Sequence, residues 1–421
     1  MQTVVVSSTN LFLGGPLTVG RELVAALRAS EPFARGELRV IVFCHRRELY
    51  ADIPAHPNLE WIEKPHVRRN WLIRLFYEYI WFRLWSRRQK IDLWISAQDL
   101  TPTVHAKHRV VYCHNAAPFY DGRSQWLLDP RFEIFRLLYG FFYRLNLGKN
   151  DFAVVQQQWM RDELSRRYGR AKETIIVAHP VHTEDTPPSP PRIPRAPMRI
   201  LYPVLPRSAK NHEMLIDVMH ELRDLPIELT LTFSGQETRY ARKMRRFAEG
   251  LHNVHFTGFL TRAELEHEYA RADAMVFPSK LESWGLPLSE FRHYGRPIFA
   301  ADLPYAREAL GGYSRSVFFD PNLPAKLGRL PREYWEGGHL PYETPPRNVD
   351  EPFAENWSSL IAMLVNTLCC RPTPRRSALE CGGLPPLSHS ARQTKRQQAA
   401  ALQNAPRGVR RCGYSGRFSR G

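Results

Sequence analysis

Two glutamates eight positions apart carry the sharpest chemistry in this chain. Glu282 and Glu290 bracket the run ESWGLPLSE, which follows a β-branched and aromatic strand pattern at Ala274–Phe277 and enters a helical pattern at Pro287–Tyr294. Proline suits a first helical turn, because the N–H it lacks has no partner there in any case. The amides of Trp284, Gly285 and Leu286 then lie at the positive end of a helix, a natural seat for a diphosphate. Gly285 allows close backbone approach, Ser283 adds a hydroxyl beside it, and Glu290, one turn in, can accept hydrogen bonds from a ribose. Eight helical residues span about 12 Å, whereas a retaining hydrolase needs its carboxyls about 5 Å apart. A paired-carboxylate hydrolase is therefore excluded, and the two glutamates do different work.

Four further clusters stand at strand ends. Arg207 and Lys210, in YPVLPRSAKN after the strand pattern Met198–Tyr202, can neutralise an anionic leaving group. Gly14 and Gly15 follow the first strand and fit either a phosphate-facing loop or a plain tight turn. His114 and Asn115, in VVYCHNAAPF, end another strand, where a neutral imidazole can orient a hydroxyl; a structural histidine fits as well. Phe259, in TGFL, is a candidate stacking ring or a core residue. Gln156, Gln157 and Gln158 supply a polar rim. There is no Asp-x-Asp, no GxxxxGK[ST], no GxGxxG and no HExxH. No metal and no cofactor are expected.

The elements that must position these residues alternate as strand and helix, the grammar of parallel doubly wound sheets. Strands are predicted at Thr3–Val6, Leu38–Phe43, Ile91–Ile95, Arg109–Tyr112 and Phe152–Val155, with helices over Trp71–Arg88, Arg131–Leu147 and Trp159–Tyr168. Thr183–Pro197 holds six prolines and reads as a linker. The grammar restarts at Met198, with Asn211 as N-cap of a helix over His212–Leu222. The domains are thus 1–182, a linker 183–197, a second domain 198–345, and a helix within 346–370 that ties the two together. Ligands of such sheets bind beyond the carboxyl ends of the strands.

The net charge is +17, but +10 of it falls after residue 370, in a tail too poor in large apolar residues to fold. That distribution argues against a nucleic-acid partner, although a basic nucleic-acid-binding protein stays open as an alternative. Six unpatterned cysteines suit a reducing, cytoplasmic setting. No signal peptide or membrane-spanning stretch is expected. The segment 67–90 mixes Trp71, Phe76, Trp81 and Trp85 with Arg68, Arg69, Arg83 and Arg88. It reads as a core helix with a charged outer side, or as a helix lying on an anionic membrane surface.

ESWGLPLSE, followed by GRPIFAADLPYAREALGG and VFFDP, resembles the donor half of glycosyltransferase family 4, the group 1 glycosyl transferases. The resemblance covers roughly residues 1–369, is strongest over 198–320, and implies a GT-B fold of two Rossmann-like domains facing across a cleft. It implies that Glu282 lies by the transferred sugar, that Glu290 binds the donor ribose, and that Ser283–Leu286 meet the diphosphate and sugar. Arg207 and Lys210 would flank the diphosphate, more closely spaced here than in the commonest form. Gly14 and Gly15 would face it across the cleft, without the glutamate that commonly follows. His114 and Asn115 would meet the acceptor or the transferred sugar, and Phe259 the base. YCHN and VVQQQW resemble polysaccharide-building members. The expectation is a metal-independent, retaining transferase that moves a sugar from a nucleotide-sugar donor to a glycan or lipid-linked acceptor, in cell-surface polysaccharide biosynthesis at or near the inner membrane face. A nucleotide-sugar epimerase on the same fold is the alternative.

Overall fold

A computed structural model describes residues 1–120, 130–180 and 196–369. The proline-rich stretch up to residue 195 and the tail from 371 lie outside the described residues. The first half runs β1 (Gln2–Ser8), α1 (Gly14–Ala29), α2 (Glu31–Ala34), β2 (Leu38–Cys44), β3 (Leu59–Glu63), α3 (Trp71–Phe76), α4 (Phe82–Ser86), β4 (Leu93–Ser96), β5 (His108–Cys113), α5 (Pro130–Arg144), β6 (Phe152–Val155), α6 (Gln158–Tyr168) and β7 (Ile175–Ala178). The second runs β8 (Met198–Tyr202), α7 (His212–Glu221), β9 (Ile227–Leu231), α8 (Arg239–Phe247), β10 (Val254–Phe256), α9 (Arg262–Arg271), β11 (Ala274–Phe277), α10 (Leu286–Arg292), β12 (Ile298–Ala301), α11 (Pro304–Ala309), β13 (Ser316–Phe319) and α12 (Pro324–Trp335). The chain then returns to the first half through β14 (Phe353–Ala354) and α13 (Trp357–Cys369).

Every strand pairing within the two sheets is parallel. The orders are β14-β7-β6-β5-β4-β1-β2-β3 and β10-β9-β8-β11-β12-β13. Strands covered on both faces read as continuous apolar runs, as in VVV of β1 and AMVF of β11, where every residue is buried. Alternate side chains divide between the faces. Val4, Val6, Val40 and Val42 join α1 and α13 in one core, while Val5, Ile41 and Phe43 pack on Phe82 and Trp94 on the other side. One continuous core holds the second sheet together.

Strand order reverses between β1 and β4 in the first sheet and between β8 and β11 in the second. Such switch points leave a crevice at the carboxyl ends of the strands. Gly14 follows β1, Lys210 follows β8 and Glu282 follows β11, so both crevices carry residues singled out from the sequence.

Three local expectations are corrected. Asn211 precedes α7 in the left-handed region (φ 58°) and its side chain makes no cap; it donates instead to the carbonyls of Pro278 and Pro321, at 3.3 and 2.9 Å. The helix after Glu282 starts at Leu286, one residue earlier than expected, with Gly285 as N-cap. The helix expected over Trp71–Arg88 is α3 and α4 joined by a π turn at Tyr77–Trp81.

Candidate active site

The loops after β8 and β11 are sewn to each other before any ligand is considered. Lys280 N–H donates to the Ala209 carbonyl at 2.8 Å, and Tyr305 hydroxyl donates to the Ser279 carbonyl at 2.7 Å. Tyr202, buried on β8, donates to the Lys210 carbonyl at 2.7 Å. These bonds fix the Lys210 ammonium, which donates to the Leu281 carbonyl at 3.1 Å and lies 2.6 Å from Glu282 Oε1. Both side chains are mostly covered, at 19% and 14% exposed. A pair this enclosed feels less screening than a surface ion pair. Arg207, three residues earlier, is exposed, and its guanidinium has no partner among the described residues.

Gly285 is left-handed (φ 85°), and a Cβ there would lie 3.2 Å from Leu288. A side chain at the entry to α10 would thus be strained by the backbone and crowded by Leu288. The first half meets this loop directly: a Cβ on Gly15 would lie 3.1 Å from Leu286 Cδ1. α1 begins at Gly14 (φ 61°) with no acidic residue in its first turn. The N-termini of α1 and α10 therefore converge where Gly15 meets Leu286, and their unpaired amides and dipoles favour an anion between them. Ser283 and Leu286 are half-buried at this point.

The side chain of Trp284 is buried. Its ring is 1% exposed, packs against His179 with ring centres 4.5 Å apart, and its indole N–H donates to Ser289 Oγ at 2.8 Å. The side chain is core, so only its backbone is left to face a ligand. Glu290 is also engaged: it accepts from Tyr269 hydroxyl at 2.7 Å and from the Arg262 guanidinium. Phe259 is 65% exposed, which removes the reading as a core ring. It sits on the loop leading into Arg262.

Across the cleft, the His114 loop is held by a residue that sequence reasoning missed. Asp99 follows β4 at the switch point, in the left-handed region (φ 71°). Its Oδ1 accepts the backbone amides of His114 and Asn115 at 2.8 and 3.0 Å, and Tyr143 hydroxyl at 2.9 Å. Its Oδ2 lies 3.6 Å from His114 Nε2, while Nδ1 of that ring is buried without a hydrogen-bond partner. Asn115 Oδ1 accepts the Ala117 amide, turning the chain so that Ala117 and Tyr120 pack with Phe132 against Ala209 and Leu281. The His114 loop thus rests on the loops that carry Lys210 and Glu282. The available signal was the polar pair Gln98-Asp99 directly after the apolar strand LWIS.

Asp99 belongs to a larger buried network. Arg74 donates to Tyr139 hydroxyl at 3.1 Å and to the Gln98 carbonyl at 2.9 Å. Gln98 donates to Glu78 and accepts from the Asn10 amide at 2.9 Å. Burial pushes the Glu78 carboxyl up to about 7, against the opposing pull of Arg74 and of the Gln98 hydrogen bond.

The glutamines after β6 form no open rim. Gln157 is fully buried and donates to the Tyr305 carbonyl at 2.9 Å. Glu308 accepts the Gln158 amide at 2.9 Å and lies 3.1 Å from His179 Nε2. These bonds join the halves beside the α10 loop.

Comparison with known proteins agrees with this geometry. Residues 194–339 match the family described as glycosyl transferases group 1. A D-rhamnosyltransferase of Pseudomonas aeruginosa, WbpZ, is 27% identical over 143 residues, 33% of this chain and 36% of that relative. The match thus spans about a third of the relative's length. WaaG, a glycosyltransferase involved in lipopolysaccharide biosynthesis, superposes with a TM-score of 0.55 at 17% identity, covering 79% of this chain and 90% of its own. Anabaena HepE, solved with UDP-glucose, gives 0.54 at 14% identity, covering 80% and 90%. Residues 194–339 match the group 1 glycosyl transferases, and the described residues have the GT-B fold.

Proposed function

We propose that this chain is a retaining glycosyltransferase that moves a sugar from a nucleotide-sugar donor to a glycan or lipid-linked acceptor, in the building of a cell-surface polysaccharide on the cytoplasmic side of the inner membrane. The observation that carries the reading is the Lys210–Glu282 pair, 2.6 Å apart, beside the junction where Gly15 of α1 meets Leu286 of α10. A donor diphosphate seated between the two helix N-termini receives backbone N–H groups from both. Lys210 and Arg207 stabilise the negative charge that grows on it as the glycosidic bond breaks. Preformed cations and amides of this kind do the work a divalent ion would otherwise do, so no metal is required.

Glu282 holds the sugar and keeps Lys210 in register. A carboxylate already opposed by an ammonium is a poor nucleophile, so the acceptor attacks from the face the diphosphate leaves, with a phosphate oxygen taking its proton. His114 and Asn115, fixed by Asp99, orient the acceptor hydroxyl, and Glu290 and Phe259 meet the nucleoside. HepE, whose structure was solved with UDP-glucose, and the rhamnosyl- and lipopolysaccharide transferases among the relatives support a nucleotide-sugar donor and a surface-glycan product. Among the described residues no helix is long and apolar enough to cross a membrane, which fits peripheral contact.

The test is the anomeric configuration of the product, read by proton NMR with and without a chelator. The expected result is retained configuration at a rate the chelator does not change. An inverted product rejects the mechanism, and conversion of donor with no acceptor present favours an epimerase.

A further inference from the structure

The helices on one side of the first half pack one side on the core and leave a second apolar stripe exposed. In α3, the π turn and α4, the residues facing the core are Arg74, Glu78, Phe82 and Ser86. Those facing outward are Leu72, Phe76, Ile80 and Leu84, from 45% to 77% exposed. Both sets step by four. In an α-helix such steps overshoot a full turn by about 40° each, so a stripe would drift off its face. The wider π turn rotates less per residue and keeps both stripes in line. The Glu78 carbonyl is taken by the Thr103 amide at 2.9 Å.

α5 likewise leaves an apolar stripe exposed. Tyr139 and Tyr143 point inward to Asp99, while Leu137, Leu138, Phe141 and Leu145 are 37% to 62% exposed. The two helices touch where Trp71 stacks on Phe142, with ring centres 5.6 Å apart, so the stripes flank one contact. Nine of the seventeen large exposed apolar side chains among the described residues lie on these helices, and Leu145 directly follows α5. Such concentration marks a docking surface rather than ordinary surface scatter.

Charge identifies the occupant. Around the stripes Arg69, Arg83, Arg88 and Arg144 are exposed, while Glu78 and Glu133, the acids of 65–90 and 130–149, are buried. A second copy seated face to face would set this positive rim against itself. An apolar centre with a rim that is basic among the described residues fits the interface of an anionic bilayer, where apolar side chains enter the acyl boundary and cations meet the headgroups. We propose that the joint outer face of α3, α4 and α5 docks on an anionic lipid bilayer and sets the cleft against it. The face begins at the cleft, because Phe132 in the first turn of α5 packs with Ala209 and Leu281. Its inner side carries Asp99 and the His114 loop. The proposal deepens the reading of a lipid-linked acceptor and rests on it.

The test is co-sedimentation of the full chain with phosphatidylcholine vesicles, with and without phosphatidylglycerol, in the absence of donor and acceptor. Vesicle binding therefore reports on this surface whether or not sugar transfer is found. The chain with Leu72→Ser, Phe76→Ser, Leu138→Ser and Phe141→Ser keeps the basic tail and loses only the apolar face. Its partition should fall roughly ten-fold or more, with the thermal midpoint unchanged. Arg83→Glu with Arg88→Glu, which leaves the apolar face intact, should weaken the preference for phosphatidylglycerol. Equal binding by wild type and the four-fold variant overturns the proposal, since the tail would then hold the vesicle. So does a wild-type dimer that the variant loses without any loss of vesicle binding.

Discussion

At the scale of single residues, the site is built from pairs whose second member fixes the first. Glu282 is held by Lys210, Glu290 by Tyr269 and Arg262, and His114 by Asp99. Asp99 is the most consequential, because one carboxylate oxygen gathers two backbone amides and a tyrosine hydroxyl. Hydrogen bonds to a charged acceptor contribute about 1.5–3 kcal/mol, which converts to roughly a 10- to 100-fold effect on rate. Asp99→Ala is expected to lower kcat by that factor and raise the acceptor KM, leaving the donor KM unchanged. Asp99→Asn, which tolerates the left-handed backbone and keeps an acceptor oxygen, should recover most of the loss. A parallel rise in donor KM would mean that Asp99 supports the whole half rather than the acceptor loop.

Glu282, Lys210 and Gly15 were legible from sequence because each belongs to a run with a defined strand-to-helix context. Asp99 was not, because it belongs to no such run and its role comes from a residue 15 positions away; Gln157, read as part of a polar rim, is instead buried and bonds to a residue 148 positions away. Trp284 was named for its backbone amide, and its side chain packs in the core, a placement the motif does not fix.

At the scale of elements, the buried face of α3 and α4 sets a pH dependence. Glu78 has a folded value of about 7, above its ordinary value near 4.5. Below pH 4.5 it is protonated whether folded or not, and stability is independent of it. Between those values the unfolded chain releases a proton that the folded chain retains, so stability falls as pH rises and levels off above 7. The full difference is about 3 kcal/mol. Glu78→Gln keeps the oxygen that accepts from Gln98 and removes the titration. Its thermal midpoint is expected to exceed that of wild type at pH 8 by more than at pH 5; an equal difference at the two pH values would show that Glu78 is not the titrating group.

The alternation of elements was legible because strands covered on both faces leave unbroken apolar runs. β7 was passed over although it has that signature, reading IIVA and wholly buried; the other elements passed over lack it. β3 reads LEWIE and lies at a sheet edge. α8 reads RYARKMRRF and buries only Tyr240, Ala241 and Met244. α12 carries Pro331 inside it, which normally argues against a helix. The outward apolar stripes of α3, α4 and α5 were hidden for a different reason. Periodicity gives the width of an apolar face without saying which part of it meets the core, and here Phe82, Trp81 and Trp85 meet it while Leu72, Phe76, Ile80 and Leu84 do not.

At the scale of the molecule, two sheets of related strand order bring their switch points together, and the contacts that join them are specific. Gln157 bonds to the backbone at Tyr305, Glu308 receives the Gln158 amide and His179, and β14 returns to pair with β7. α13 then adds Trp357, Leu360, Ile361 and Leu364 to the core of the first sheet. A ligand seated between α1 and α10 touches both halves, so its binding must raise the stability of the folded chain. The central claim is that this junction binds the donor through its nucleoside diphosphate. The direct measurement is the thermal midpoint of the full chain against a panel of nucleoside diphosphates, for wild type and Glu290→Ala. A rise with one base that the substitution removes is the expected result. No rise with any of them, or an equal rise in the variant, would contradict it.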